Sequence, residues 1–475
     1  MKRYLIFLYL INLLFASLPV NASINISSKI DFVYVSNTGN DNNNGMDKYH
    51  PFKTISAALR TGKDIKLRCG DVFYENVILT GQNLSTYGNG NKPKLCGWKF
   101  LNNAKWENIN GCIWRLDLEN EEFTGRTAKS YKYLNNIGLI VNVITKSIYG
   151  LKKQCLYKKD CIFSPANSHM NTWLNGEMDF AQTPIYGRNK LKSEDFKYLY
   201  IYSSTNPNNL HLAVSTYGNG ITASNSEISG IAIEGFSCHG IAAGSNVRIT
   251  NCDISYIGGA QQVGYPLWVR YGNGIEFYIS KYTENGYVAH NHIGHTFDCA
   301  TTIQGSKRVG AYPKNIIIEK NVIYNCRQAF EYFLNNDDKE TNETYDCINC
   351  EFRNNKCIES GYNGFGLDEF LDSHILSYQN DYRSSIKITN NIFIGGKALY
   401  FAIHPENLKF GPGNKYYLTE GTVVLRPGNI IFERNNIARM YKKLLAKKVN
   451  LRGVQFVLVN KKKLDKLIKR NIPKK

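Results

Sequence analysis

Little in this chain marks a membrane or nucleic-acid protein. Beyond its first two dozen residues no segment approaches the roughly 20 continuous apolar residues that span a bilayer, so a transmembrane bundle does not fit. No nucleic-acid motif accompanies the charge. Cys347-Ile-Asn-Cys350 is followed by no second CxxC and no His pair at finger spacing, which excludes a zinc finger. Acidic residues are also short, 39 Asp and Glu against 58 Lys and Arg, for a net +19 over 475 residues. That excess is local: residues 439–475 carry +13 and Lys2 and Arg3 carry +2, which leaves only +4 on residues 23–438. The body offers no strong field for a polyanion.

What is present is a repeat. An apolar strand, an Asn, another apolar position and a turn recur as Ile249-Thr-Asn251-Cys-Asp-Ile254, Val288-Ala-His-Asn291-His-Ile293, Ile318-Glu-Lys-Asn321-Val-Ile323, Phe352-Arg-Asn-Asn355-Lys-Cys357 and Ile388-Thr-Asn-Asn391-Ile-Phe393. The Asn positions lie 40, 30, 34 and 36 residues apart, a spacing that signals stacked structural units. A buried Asn at a turn can bond through its amide to the units above and below, so a column of them satisfies its own polar groups. The expected fold is all-β, a parallel β-helix solenoid. An N-terminal helical plug at Pro51-Phe-Lys-Thr-Ile-Ser-Ala-Ala-Leu59 and a basic C-terminal cap helix with Leu464, Leu467 and Ile468 on one face would cover its ends.

Residues 1–22 read as a secretory signal, with Lys2 and Arg3, an apolar run and Val20-Asn-Ala22. The mature chain is expected to be secreted, periplasmic or on the cell surface. After it come a cap with the first coils (23–125), an inserted side segment (126–200), the solenoid core (201–438) and a basic tail (439–475). Of the twelve cysteines, Cys238, Cys252, Cys299, Cys326 and Cys357 fall in or beside repeated strands and read as buried thiols. Cys155 with Cys161, and Cys347 with Cys350, read as disulfide pairs.

A second column follows from alternation. Gly274-Ile-Glu276-Phe-Tyr278, Ala300-Thr-Thr302-Ile-Gln304, Ala329-Phe-Glu331-Tyr-Phe333, Gly364-Phe-Gly366-Leu-Asp368 and Ala398-Leu-Tyr400-Phe-Ala402 align on their small first residue. Alternation turns Ile275, Ile303, Phe330, Leu367 and Leu399 inward, and Glu276, Thr302, Glu331, Gly366 and Tyr400 outward. At ~4.8 Å per strand, Glu276 and Glu331 stand ~9 to 10 Å apart, with Asp298 near the coil between them. Carboxyls about 6.5 to 9.5 Å apart suit an inverting glycosidase. Alternatively the three ligate Ca²⁺ while Lys307, Arg308, Arg327 or Tyr278 removes a proton from a uronate, as in a lyase. Hydrolysis needs no metal or other cofactor and is the favoured of the two. The catalytic candidates are therefore Glu276, Asp298 and Glu331. Tyr278, Thr302, Gln304, Arg308, Phe333, Asp368 and Tyr400 are the candidates for holding sugar, as aromatic faces and hydroxyl partners.

The segments Asn273-Gly-Ile-Glu-Phe277, Phe297-Asp-Cys-Ala-Thr-Thr-Ile-Gln304-Gly305 and Phe330-Glu-Tyr-Phe333, together with the Asn column, resemble the right-handed parallel β-helix proteins of the pectin-lyase-like superfamily. Within it they are similar to an exported subgroup associated with bacterial exopolysaccharides. The resemblance covers most of residues 221–410 and implies a right-handed solenoid that processes a polysaccharide, as a glycoside hydrolase or a polysaccharide lyase. A non-catalytic glycan-binding or cell-envelope protein is the alternative. The protein is expected to be a monomer with no nucleic-acid partner.

Overall fold

Short strands with one apolar face must bury that face, and strands of three to five residues do so by stacking into long sheets. The computed structural model describes residues 32–119, 135–144, 149–150, 152, 174–184, 196–216, 218–266, 269–279, 283–307, 312–336, 347–361, 371–377, 386–402 and 409–473. Three long sheets of ten strands each dominate it. They are parallel, apart from one hairpin between Val423–Arg426 and Ile430–Ile431. The chain visits them in rotation. Ile241–Ala243 joins the third sheet, Val247–Thr250 the first and Asp253–Ile257 the second, before Ile275–Ile279 returns to the third. Inward residues of all three, among them Ile249, Ile254 and Ile275, pool into one core.

The Asn column lies at the turn from the first sheet to the second. Asn291 N donates to Asn321 Oδ1 at 3.0 Å, Asn321 N to Asn355 Oδ1 at 3.0 Å, and Asn355 N to Asn391 Oδ1 at 2.9 Å. Asn391 N continues the column to Asn414 Oδ1 at 3.0 Å. Each Nδ2 also donates to a carbonyl of the preceding tier, as Asn321 does to Val288. Asn251 is not a member. Register pairs Ile249 with Val288 and Ile254 with Ile293, which places Cys252 opposite Asn291, and Cys252 N donates to Asn291 Oδ1. Asn251 instead shares the left-handed position with His290, Lys320, Asn354 and Asn390. Two adjacent polar residues made the offset invisible to pattern matching.

A second, exposed column runs along the turn into the first sheet. Asn246, Asn285, Asn315 and Asn349 have φ between 53° and 58° and bond side chain to side chain. Asn is tolerated there because its short amide offsets left-handed strain with a local hydrogen bond.

Cys238, Cys252, Cys299, Cys326 and Cys357 are buried free thiols. So are Cys347 and Cys350, which corrects the expected bridge between them. Both join the core, where a thiol acts as a small apolar group. Cys155 and Cys161 lie outside the described residues, as does the signal segment.

Two antiparallel four-stranded sheets draw on strands from Trp98–Phe100 to Leu212–Ser215 and bury their own cluster around Leu116, Phe180 and Val214. Lys152 ties this part to the tier before the site. Its buried Nζ donates to Gln261 Oε1 at 2.5 Å, and Arg270 Nη2 donates to its carbonyl at 3.3 Å.

Helix α1 (Ile55–Leu59) puts Ile55, Ala57 and Ala58 into the main core. Asp41 Oδ1 organises its start by accepting from Lys53 N and Thr54 N. Of the two C-terminal helices, α2 (Ile437–Ala446) places Met440 and Leu444 in that core. The helix carrying Leu464, Leu467 and Ile468 is α3 (Lys461–Asn471), and it packs elsewhere than expected. It lies on Tyr324, Ile358 and Ile394, a column facing away from the core residues Ile323, Cys357 and Phe393. Amphipathic spacing shows that a helix has an apolar face without saying which surface meets it.

Candidate functional site

The third sheet positions the polar cluster. Its register sets Glu276, Thr302 and Glu331 side by side on consecutive strands, and Tyr278, Gln304 and Phe333 side by side two residues on. The expected continuation does not follow. The partner of Glu331 is Leu376, whose partner is Phe401. Tyr400 pairs with Ile375 on the inward side and is fully buried in the core, so it cannot face a ligand there. An alignment on small residues slipped by one residue where the strand Ala398–Ala402 begins. Gly366, Leu367, Asp368 and Arg308 lie outside the described residues, as does the side chain of Lys307.

Glu276 is held from three directions. Asn273 Nδ2 reaches its Oε1 at 3.2 Å, Gln304 Nε2 reaches the same oxygen at 2.5 Å, and His239 Nε2 meets Oε2 at 3.1 Å. The backbone N–H of Asn273 donates to His239 Nδ1 at 3.3 Å. That ring nitrogen is therefore the acceptor, which leaves the proton on the nitrogen facing Glu276. The fixed tautomer orients the carboxylate.

Asp298 and Glu331 form a second group with Cys299. One atom from each lies within 4.8 Å of the other two. Glu331 Oε2 accepts from Cys299 Sγ at 3.3 Å and from Thr302 Oγ1 at 3.2 Å. Burial pushes the Glu331 carboxyl well above the usual carboxylate range, and the neighbouring Asp298 charge adds to it. Burial also raises Asp298, against the pull of Arg327 and His239 and with a further push from Glu276. Asp298 keeps part of its surface open, whereas Glu331 is only 2% exposed. Two carboxyls this close resist losing both protons. The Cys299 thiol is held far above its normal range by burial first, so it acts as a donor. Asp298 and Glu331 offer oxygen and Cys299 offers sulfur, a softer donor than Ca²⁺ prefers.

A cationic end follows. Arg327 Nε bonds Asp372 Oδ1 at 3.2 Å and Lys397 Nζ bonds Asp372 Oδ2 at 3.0 Å. Burial, with the positive charge of Arg327, lowers Arg270 to about 9. His292 pairs with Asp253 at 3.1 Å, and His295 stacks on Tyr256.

Tyr278 is 48% exposed, Gln304 and Phe333 are partly exposed, and Thr302 is buried. Sequence reasoning missed His239, Asn273, Cys299, Asp372 and Lys397. His239 was within reach: Gly240-Ile-Ala pairs with Gly274-Ile-Glu, so His239 precedes its strand as Asn273 does. Gly274 itself is required, since a Cβ there would lie 2.6 Å from the Ala300 carbonyl oxygen.

No protein-family model matches the chain, and no curated protein matches it. Solved structures that align with this chain include XylC in complex with xylose, at 11% identity over 90% of this chain and 82% of that one, with a TM-score of 0.37. A glycoside hydrolase aligns at 10% identity over 94% and 99% of the two chains, TM-score 0.41. A GH136 lacto-N-biosidase from Eubacterium ramulus aligns at 11% identity over 90% and 68%, TM-score 0.34. Likeness at this level assigns no activity.

Proposed function

We propose that this chain is an exported, monomeric right-handed parallel β-helix of the pectin-lyase-like kind, with α1 and α2 covering its ends, and that it hydrolyses glycosidic bonds in a polysaccharide such as a bacterial exopolysaccharide. The observation that carries the reading is a close carboxyl pair, Asp298 and Glu331, the latter two strands along the same sheet from a third carboxyl, Glu276, which accepts from Asn273, Gln304 and His239. Asp298, the more open member, delivers the proton to the leaving glycosidic oxygen, and the more buried Glu331 shares the pair's proton with it. Glu276 takes a proton from the attacking water, whose oxygen bonds to the anomeric carbon as the old C–O bond breaks. Because Glu276 activates the water directly, the old bond is displaced in a single step and the anomeric centre inverts. Elimination is less well served, because the described cations Arg327 and Lys397 are engaged with Asp372.

The test is a screen of purified protein against neutral and uronate-containing polysaccharides, with reducing ends counted and the product anomer read by NMR. New reducing ends with inverted configuration support the reading. Absorbance near 235 nm from an unsaturated uronate would replace it with elimination, and binding without cleavage would replace it with a glycan-binding protein.

A further inference from the structure

Exposure changes along the outward column in a way that hydrolysis alone does not require. Register continues the column from Glu276 back through Ala242 and Thr222 to Ile78, and forward through Thr302 and Glu331 to Leu376 and Phe401. Ile78 is 65% exposed and Thr222 is exposed, while Glu276 is at 7%. Beyond it, Leu376 at 1% and Phe401 at 0% are covered although they point away from the core. An open groove of about 280 Å³ lies over the exposed end, with Ile78, Thr222, Ala242, Gly244, Glu276 and Tyr278 in its lining. Glu276 is the only charged side chain among the described residues that line it. The groove thus ends at the carboxyls.

We infer that the site takes the end of an uncharged glycan chain, lays the rest over Ala242, Thr222 and Ile78, and releases short products from that end; this rests on the hydrolase reading above. Three strand steps separate Ile78 from Glu276, ~14 Å, room for a short run of sugar rings. Small side chains at Ala242 and Gly244 make the trough. Tyr278 and Ile78 offer apolar surface for the C–H faces of pyranose rings, as sugar sites commonly do with aromatic and apolar side chains. A uronate chain would lay its charges over this surface with no cation among the described lining residues to meet them.

The experiment uses the full chain on the neutral polysaccharide that the screen identifies, following viscosity and product length together. One short product from the first time points, with viscosity falling slowly, is the expected result. Mixed lengths and an early collapse of viscosity would overturn the end-acting inference while leaving the hydrolase standing. No cleavage of any glycan would remove the hydrolase reading and this inference with it. A second measurement uses Thr222→Trp, which fills the trough at an exposed position. On a Glu276→Gln background, adding Thr222→Trp should weaken binding of oligosaccharide from the same polymer at least tenfold by calorimetry. Unchanged affinity, with an unchanged far-ultraviolet spectrum, would show that the chain does not run over this surface.

Discussion

The asparagine column and the carboxyl column stack polar side chains on consecutive tiers in the same way, and they end in opposite electrostatic states. An amide is donor and acceptor at once, so Asn321 accepts from Asn291 and donates to Asn355 and to the Val288 carbonyl. Repetition satisfies every member. An ionised carboxylate only accepts, so Glu276 and Glu331 on the column, with Asp298 at the turn beside it, depend on borrowed donors: Asn273, Gln304, His239, Cys299 and Thr302. Burial first, and like charge beside it, raise the proton affinity of Asp298 and Glu331.

The largest expected effect breaks the reactive column. Glu276→Gln should reduce turnover by roughly 10²–10⁴-fold, the usual contribution of a positioned acid or base, with unchanged thermal unfolding. Equal loss of activity and of folded protein would count against a catalytic role. Glu331→Gln sharpens the same point through pH. The proposed step needs a protonated carboxyl, and burial with neighbouring charge keeps it protonated above the ordinary range. Activity is then lost as pH rises through that raised value. Replacing Glu331 removes the second carboxyl, whose like charge disfavours loss of the pair's last proton, and should move this alkaline limb to lower pH in a kcat/KM profile, a shift that a purely structural residue would not produce.

Next in size comes the asparagine column. Asn321→Leu leaves buried partners on both sides without their bonds, at roughly 1–3 kcal/mol for each group left unpaired, so urea unfolding should shift by several kcal/mol. In the exposed column, Asn315→Ala loses a 3.1 Å bond to Asn285 that water can replace. Its cost comes from the left-handed backbone, about 1–2 kcal/mol. A shift as large as that of Asn321→Leu would show that exposure does not separate the two columns.

A further contrast lies in pH-dependent stability. His374 is fully buried between Ser360 and the Gly395 carbonyl, and burial depresses it from 6.5 to about 4. The unfolded chain takes up that proton first. His374 therefore contributes full stability above pH 6.5, which is lost as pH falls toward 4. Replacing it with Asn should flatten that part of the stability profile, whatever the change in overall level, as read from unfolding midpoints at successive pH values.

How much of this was legible in the sequence depends on the kind of signal. Parallel stacking was written in local periodicity, because strand alternation and a recurring turn residue are properties of neighbours along the chain. Glu276, Thr302 and Glu331 could be aligned for the same reason, each following a small residue by two positions. Register beyond that point was not legible. A single-residue slip moves a whole strand to its other face, as it did for Tyr400, and the pairing of Glu331 with Leu376 depends on how much chain lies between strands. The partners of the carboxyls were hidden for another reason. His239 lies 37 residues from Glu276 and Asp372 lies 45 from Arg327, distances that only stacking of tiers collapses to hydrogen-bond range. The covered and open ends of the groove likewise belong to the tertiary structure, since Leu376 and Ile78 are both apolar residues on outward positions and differ only in what lies over them.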